Sequence, residues 1–187
     1  VKTVGETWVL NLTGALSSPV TRDSFQSCGS PSCHGKAYQD ESGQSWMGVP
    51  LWVLVGEVDD EDTHSEEAYN IALAEAGYTI DITSLDGKTV TLDSQLVKKD
   101  NQVLIAHSVN EGELPDLYYP LRLVGTSVLS DQMLGQISDI VVNVPAIPVP
   151  TLEEVEENAG SLTIAGLVNQ ELILKDADLR MLEIVNI

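Results

Sequence analysis

The first clear pattern in the chain is an alternation of apolar and polar residues that ends at a glycine. Apolar side chains occupy every second position from Trp8 to Leu12, and Gly14 follows. Successive side chains of a strand point to opposite faces, so a period of two is typical of a half-buried β-strand. The segment Val9–Gly14 is therefore predicted to be a strand that stops at the glycine.

Three segments carry helix signals. Thr21 precedes the run 22–26 and can cap a short helix, because its hydroxyl accepts a hydrogen bond from an unpaired N–H of the first turn. Pro50 opens the apolar run 51–56, and the first turn of a helix tolerates proline. The run 65–76 is followed by Gly77 and predicts a longer helix that ends there.

After Gly77 the pattern changes to a period of two and predicts β-structure. Alternating runs at 78–83 and 89–92 flank Asp86-Gly87, a dipeptide that favours a tight hairpin turn. Further runs at 102–108, 119–125 and 135–144 predict three more strands. Strands outnumber helices, so the predicted class is α+β, mainly β, with mixed sheets and a few short helices.

The apolar positions of these runs predict the main core. They are Trp46, Val49, Leu51, Leu54, Ile71, Leu73, Leu104, Ile105, Leu121 and Leu123. His107 lies in the same kind of apolar run, so we expect a hydrogen-bonded core histidine rather than a catalytic base. His64 is expected at the surface, where a helix begins.

A proline-rich segment divides the chain, so we predict a domain at 1–145, a linker at 146–151 and a C-terminal segment at 152–187. Within that last segment, residues 161–166 repeat the pattern of 9–14. This self-similarity predicts the start of a second copy of the same unit. So short a segment cannot bury a core alone, so we expect it to dock on its own domain or to form a homodimer by exchange.

Composition adds a strong negative charge. Nine Lys and Arg residues face 29 Asp and Glu residues, a formal net charge of −20. Nucleic acids and anionic membrane surfaces would repel such a chain, so neither is expected as a partner. No apolar run reaches the roughly 18 residues of a membrane-spanning helix. The start without Met, the sequon at Asn11 and the few lysines favour a processed, extracellular or cell-surface protein.

An acidic segment runs from Asp59 to Glu67 and leaves two interpretations open. Carboxylate oxygens are the ligands that calcium prefers, so a calcium-dependent adhesion module is one alternative. Carboxylates also stabilise the start of a helix, by about 0.3–1 kcal/mol each. Because the spacing matches no EF-hand loop, we favour a solvated helix start.

Two cysteines, Cys28 and Cys33, flank a Gly-Ser-Pro-Ser turn, and His34 follows directly. We predict a disulfide between them, which in an oxidising compartment would stabilise the chain by about 2 kcal/mol. A zinc site from both thiolates and His34 lacks an evident fourth ligand. One thiolate could instead bind a soft metal such as molybdenum, or both could be free buried thiols. The spacing alone leaves these alternatives open.

The order of the segments resembles the oxidoreductase molybdopterin-binding domain, the molybdenum domain of the sulfite-oxidase type. The resemblance covers about residues 6–144 and rests on seven features in order: Trp8-x-Leu10-x-Leu12-x-Gly14, a Cys-bearing loop, Trp46-x-Gly48-Val49-Pro50-Leu51, Ala76-Gly77-Tyr78 after a helix, Val103-Leu104-Ile105-Ala106, Asn110-x-Gly112 and Pro120-Leu121-Arg122-Leu123-Val124. It implies that Cys28 or Cys33 would ligate molybdenum and that Arg122 would face the pterin.

The chain departs from that family at positions that matter for the cofactor. Tyr118-Tyr119 stand where the family has two glycines, and large side chains there would obstruct a close cofactor. Cations are few, with Arg22, Lys36 and Arg122 as the candidates for its phosphate. We therefore expect a binding or structural module that has lost the cofactor. A molybdopterin-dependent oxidoreductase is the alternative.

Overall fold

The computed structural model describes residues 7–63 and 68–145, together with the backbone of strands at 161–164 and 172–175. The chain divides into two compact units, Val1–Pro145 and Ala146–Ile187. The predicted linker, the carboxylates Glu66 and Glu67, His64 and the first six residues lie outside the described residues. Among the described residues, no helix is long and apolar enough to cross a membrane.

Short strands and four short helices make up the described chain. In chain order they are β1 (Val9–Thr13), β2 (Ser17–Thr21), α1 (Arg22–Cys28), β3 (Lys36–Gln39), β4 (Ser45–Pro50), α2 (Leu51–Gly56), α3 (Ile71–Ala76), β5 (Thr79–Ser84), β6 (Thr89–Asp93), α4 (Ser94–Val97), β7 (Val103–Val109), β8 (Gly112–Glu113), β9 (Arg122–Gly125), β10 (Ile137–Asn143), β11 (Ser161–Ile164) and β12 (Leu172–Lys175). The predicted class, α+β and mainly β, is confirmed.

Two five-stranded sheets form the first unit. The first sheet has the order β2-β1-β10-β5-β6, with β1 and β10 parallel and the other neighbours antiparallel. The second sheet is antiparallel, in the order β3-β4-β7-β8, and β9 also pairs with β7. The first sheet is therefore mixed, as predicted.

Several local predictions are confirmed by the structure. Thr21 is the N-cap of α1, and its Oγ1 accepts a hydrogen bond of 3.3 Å from the Ser24 N–H. The hairpin between β5 and β6 turns at Gly87, whose φ of +84° is the left-handed conformation that favours glycine. Pro50 ends β4 and caps α2. These signals are local in sequence, which explains their success.

The predicted helix 65–76 starts too early, because the observed helix α3 begins at Ile71. Asn70 is its N-cap and accepts a hydrogen bond of 3.0 Å from the Leu73 N–H. The Asn70 side chain in turn donates to Asp60, at 2.7 Å, and its backbone N–H donates to Asp59, at 3.0 Å. The acidic segment therefore holds the helix cap in place. Asp59 is only 1% exposed, so the prediction of a fully solvated segment is wrong for it.

The second sheet separates two apolar clusters. One face belongs to the main core, which includes Ile105 and Leu123, and the other carries a smaller cluster that includes Leu104. Seven of the predicted core residues lie in the main core or pack against it: Val49, Leu51, Leu54, Leu73, Ile105, Leu121 and Leu123. Trp46 and Leu104 are buried in the smaller cluster instead. Ile71 is 39% exposed, so its assignment to the core is wrong.

The second unit contains an antiparallel hairpin of β11 and β12, with Ser161 opposite Lys175 and Ile164 opposite Leu172. In the first unit, β1 and β2 also form an antiparallel hairpin, with Val9 opposite Thr21. The two segments that share a sequence pattern thus both begin a hairpin. That residues 152–187 open a second copy of the domain stays a prediction.

Candidate functional site

The candidate site is the loop that connects α1 to β3. Helix α1 ends at Cys28, where the Gly29 N–H donates to the Phe25 carbonyl at 2.8 Å. The chain then turns back, and the His34 N–H donates to the Cys28 carbonyl at 2.9 Å. This bond folds the Cys33-His34 pair across the end of the helix and toward Cys28.

The turn gathers three ligand-type side chains. One Sγ each of Cys28 and Cys33 and one imidazole nitrogen of His34 all lie within 4.8 Å of one another. We call these three residues the Cys–His cluster. The sequence shows that the three residues are close along the chain. That their side chains also converge in space depends on the folded turn.

A glycine allows the loop to close so tightly. A Cβ at Gly35 would lie 2.2 Å from the Gly29 carbonyl oxygen, far inside any real contact. The Gly35 N–H also donates to the Ser30 carbonyl at 3.0 Å, as does the Cys33 N–H. A larger residue at position 35 would therefore force the loop apart and separate the cluster.

The electrostatics of the cluster favour a protonated Cys28 thiol when no metal is bound. Burial is the main cause that raises the pKa of Cys28 to about 11, and the electrostatic interactions with Cys33 and Glu57 contribute to the same rise. Cys28 is half-buried and Cys33 is exposed, and both are free thiols. The predicted disulfide between them stays a prediction.

A cavity of about 480 Å³ opens beside the cluster. All three cluster residues line it, together with Glu57 and with Ser18, Ser24 and Ser27. Among the described residues that line it, none is a lysine or an arginine. The cavity is therefore lined mainly by apolar side chains and serines, with Glu57 as the acidic residue among its described lining residues.

His107 borders the same loop from the second sheet. Where β4 pairs with β7, Met47 lies opposite Ser108 and Gly48 opposite Ala106, so His107 is the extra residue of a β-bulge. Its ring packs edge-on against Phe25, with 5.9 Å between ring centroids. A bulge changes the direction of a side chain locally, and here it places an imidazole next to the end of α1.

The prediction that His107 is a hydrogen-bonded core residue is wrong in part. The ring is largely buried, but its Nδ1 has no hydrogen-bond partner among the described residues. Burial lowers the pKa of this imidazole below its usual value. The bulge that exposes His107 to the loop depends on pairing between distant strands, so no local sequence signal indicates it.

Arg122 lies on the opposite face of the second sheet from the main core. It is paired directly with Ala106, which belongs to the smaller apolar cluster. Its guanidinium carbon lies 3.7 Å from the centre of the Tyr118 ring and 4.5 Å from that of Trp46. We call Trp46 and Tyr118 the aromatic cage. Arg122 points away from Leu123 of the main core, and its guanidinium lies in the cage rather than in solvent.

The structure therefore does not bring the three cofactor-binding candidates together. Cys28 packs against the main core, and Cys33 joins it in the cluster. Arg122 belongs to the other face of the sheet, between two aromatic rings. Arg22, another candidate for the phosphate, forms an ion pair of 3.7 Å with Glu113.

No protein-family model matches the chain, and no curated protein sequence matches it. Among solved structures, the chain is similar to the sulfane dehydrogenase SoxCD from Paracoccus pantotrophus, with 15% sequence identity and a TM-score of 0.49. The alignment covers 75% of this chain and 39% of that chain. This chain thus spans well under half the length of that protein.

Proposed function

We propose that residues 1–145 form a binding or structural module of an extracellular or cell-surface protein, and that this module does not hold molybdopterin. The proposal is carried by one observation. The cavity beside Cys28 and Cys33 has no lysine or arginine among its described lining residues, while Glu57 does line it.

The chemistry of the cofactor explains why that observation supports the proposal. Molybdopterin carries a phosphate, and proteins bind phosphates with arginine, lysine or a set of backbone N–H groups. A phosphate in this cavity would meet the Glu57 carboxylate and three serines. The unfavourable interaction between like charges would be strong in a partly buried site. The residues present therefore do not fit the cofactor.

Arg122 does not remedy this mismatch. Its guanidinium is stacked between the Tyr118 and Trp46 rings, and burial lowers its pKa. To contact a cofactor at the cysteines it would have to leave the cage and reach the other face of the sheet. Tyr118 occupies one of the two positions where the family that the chain resembles has glycine. Its ring also holds the Arg122 side chain in the cage.

A molybdopterin-dependent oxidoreductase is the second candidate, because Cys33 is an exposed free thiol next to a cavity. In that function, Cys28 or Cys33 would ligate molybdenum. A calcium-dependent adhesion module is a weaker third candidate. Two of its carboxylates, Asp59 and Asp60, already accept hydrogen bonds from Asn70.

The test is elemental analysis of the chain after expression in a host that makes the cofactor. We expect no more molybdenum than in a matched Cys28→Ser, Cys33→Ser double variant from the same host. The double variant serves as the control for adventitious metal. Stoichiometric molybdenum in the unmodified chain that the double variant lacks would overturn the proposal and favour the oxidoreductase.

A further inference from the structure

We propose that the Cys–His cluster binds one zinc ion through Cys28 Sγ, Cys33 Sγ and an imidazole nitrogen of His34, with water as the fourth ligand. This inference does not rest on the proposed function. A zinc site at these residues is compatible with a binding or structural module, and its test measures a different metal.

The first support is geometric. The three ligand atoms already lie within 4.8 Å of one another. In tetrahedral zinc sites, bonds of about 2.3 Å to sulfur and about 2.0 Å to nitrogen place the ligand atoms roughly 3.5–4 Å apart. Side-chain rotations that bring the ligand atoms closer together by up to about an ångström would complete this geometry. The backbone of the loop does not have to refold.

The second support is that the backbone of the loop is fixed before any metal binds. The bond from the His34 N–H to the Cys28 carbonyl, at 2.9 Å, folds the loop back on the helix end. The Cys33 N–H donates to Ser30 at 3.0 Å and holds the second thiol in the same turn. Adjacent Cys and His residues rarely bind one ion, but this turn directs both toward Cys28.

The ligand set selects the class of metal. Two thiolates and an imidazole suit zinc and other thiolate-preferring ions, whereas calcium and magnesium need oxygen ligands. A dication would also offset the negative charge of Glu57 and of the thiolates that form when zinc displaces the thiol protons to solvent. Three protein ligands are the usual number for a zinc site with one open position.

The cavity provides that open position. Its volume of about 480 Å³ leaves ample room beside the cluster for a bound water. The fourth ligand that the sequence does not supply is therefore provided by solvent. The lack of an evident fourth ligand in the sequence therefore does not exclude a zinc site.

The experiment titrates the reduced, metal-free chain with zinc in competition with a chromogenic chelator, under argon. We expect one zinc per chain. Cys28→Ser and Cys33→Ser should each weaken zinc affinity by at least about 100-fold, more than the 10- to 100-fold typical for loss of an outer partner. Ser32→Ala, an exposed change in the same loop, is the matched control and should leave the affinity unchanged.

Cobalt substitution gives a spectroscopic readout of the ligand set, and in the unmodified chain this readout does not depend on the folding of a variant. Co²⁺ in the unmodified chain should show a thiolate-to-metal charge-transfer band in the near ultraviolet and intense visible bands of a tetrahedral site. His34→Gln should keep the charge-transfer band and shift the visible bands.

Three results would overturn the proposal. One is zinc binding that is equal in the unmodified chain and in Cys33→Ser. Another is a cobalt complex without a thiolate band. The third is a chain that binds no zinc after its thiols have been verified as reduced, which would leave the Cys28–Cys33 disulfide as the function of the pair.

Discussion

The polar groups on the two faces of the second sheet have different surroundings. On the face toward the main core, all three residues of the Cys–His cluster line a cavity. On the other face, Arg122 is enclosed by the aromatic cage of Trp46 and Tyr118. One face thus presents groups that can bind a ligand. On the other face, the charged group already contacts two aromatic rings of the chain itself.

This difference shows why residue type alone is a poor guide to a site. Arginine is the usual partner of a phosphate, yet stacking between two rings stabilises Arg122 without any external anion. Two cysteines and a histidine carry little meaning by spacing, yet one turn brings them together. Availability, rather than identity, decides which of these residues can act on a ligand.

The largest expected effect comes from removing the apolar support on each face. Ile105 and Leu104 are neighbours in β7, both fully buried, and their side chains point to opposite faces. We expect Ile105→Ala and Leu104→Ala each to lower the free energy of unfolding by about 2–5 kcal/mol. Ile105→Ala should be the more costly, because the half-buried Tyr118 and Tyr119 can move into a void beside Leu104.

Urea unfolding of the two variants tests this ranking. The control is Leu85→Ala, since Leu85 is 68% exposed and should contribute little. Equal stability of Leu104→Ala and the unmodified chain would show that the smaller cluster does not support the aromatic cage.

A buried carboxylate extends the comparison to a negative charge. Asp59 is 1% exposed, its Oδ1 has no hydrogen-bond partner among the described residues, and burial raises its pKa to about 6. The ordinary value in the unfolded chain is about 4. Between these values the folded state holds a proton that the unfolded state has lost. The free energy of unfolding should therefore fall as the pH rises from about 4 to about 6, and stay level above.

Asp59→Asn should remove that dependence and stabilise the chain at pH 7 by up to about 2–3 kcal/mol. The amide oxygen can still accept the hydrogen bond from the Asn70 N–H. Denaturant unfolding at a series of pH values measures the slope. Asp86→Asn is the control, because hydrogen bonds from Ser84 and Lys88 lower the pKa of Asp86 instead. A slope that persists in Asp59→Asn would assign it to another group.

Arg122 substitutions test whether the cage stabilises the sheet. Arg122→Ala should lower the free energy of unfolding by about 1–3 kcal/mol, because it removes both ring contacts and the packing of the side-chain stem. Arg122→Met should cost less than about 1 kcal/mol, since it restores the packing and removes the unpaired Nε–H. Lys36→Met is the control for loss of one positive charge at an exposed position. If all three variants unfold at the same urea concentration, the cage contributes nothing.

The sequence predicted those parts of the fold that depend on neighbouring residues. The strand at Val9, the cap at Thr21 and the turn at Gly87 each follow from a few adjacent positions. The start of α3 at Ile71 was missed because it is set by Asp59 and Asp60, which reach Asn70 from across a segment of the chain.

The candidate site depended more on distant pairings. The bulge at His107 exists only because β7 pairs with β4, and the aromatic cage joins Trp46 to Tyr118 from far along the chain. Cys28, Cys33 and His34 were identified as candidates, but their convergence required the hydrogen bond from the His34 N–H to the Cys28 carbonyl. Residue types were visible in the sequence, whereas their faces and neighbours were not.

The smallest expected effect concerns Cys33 and separates its two states. With reductant and without metal, Cys33→Ser should change the free energy of unfolding by less than about 0.5 kcal/mol, because the side chain is exposed. Without reductant, a Cys28–Cys33 disulfide in the unmodified chain would make the same substitution cost about 2 kcal/mol. The measurement is a pair of urea titrations, each run on the unmodified chain and on the variant, with Ser32→Ala as the control. Since zinc needs both thiols reduced, the proposed zinc site leads us to expect a small effect in both titrations. A difference that appears only without reductant would assign the cysteine pair to a disulfide. The two sulfur atoms would then not be available as zinc ligands.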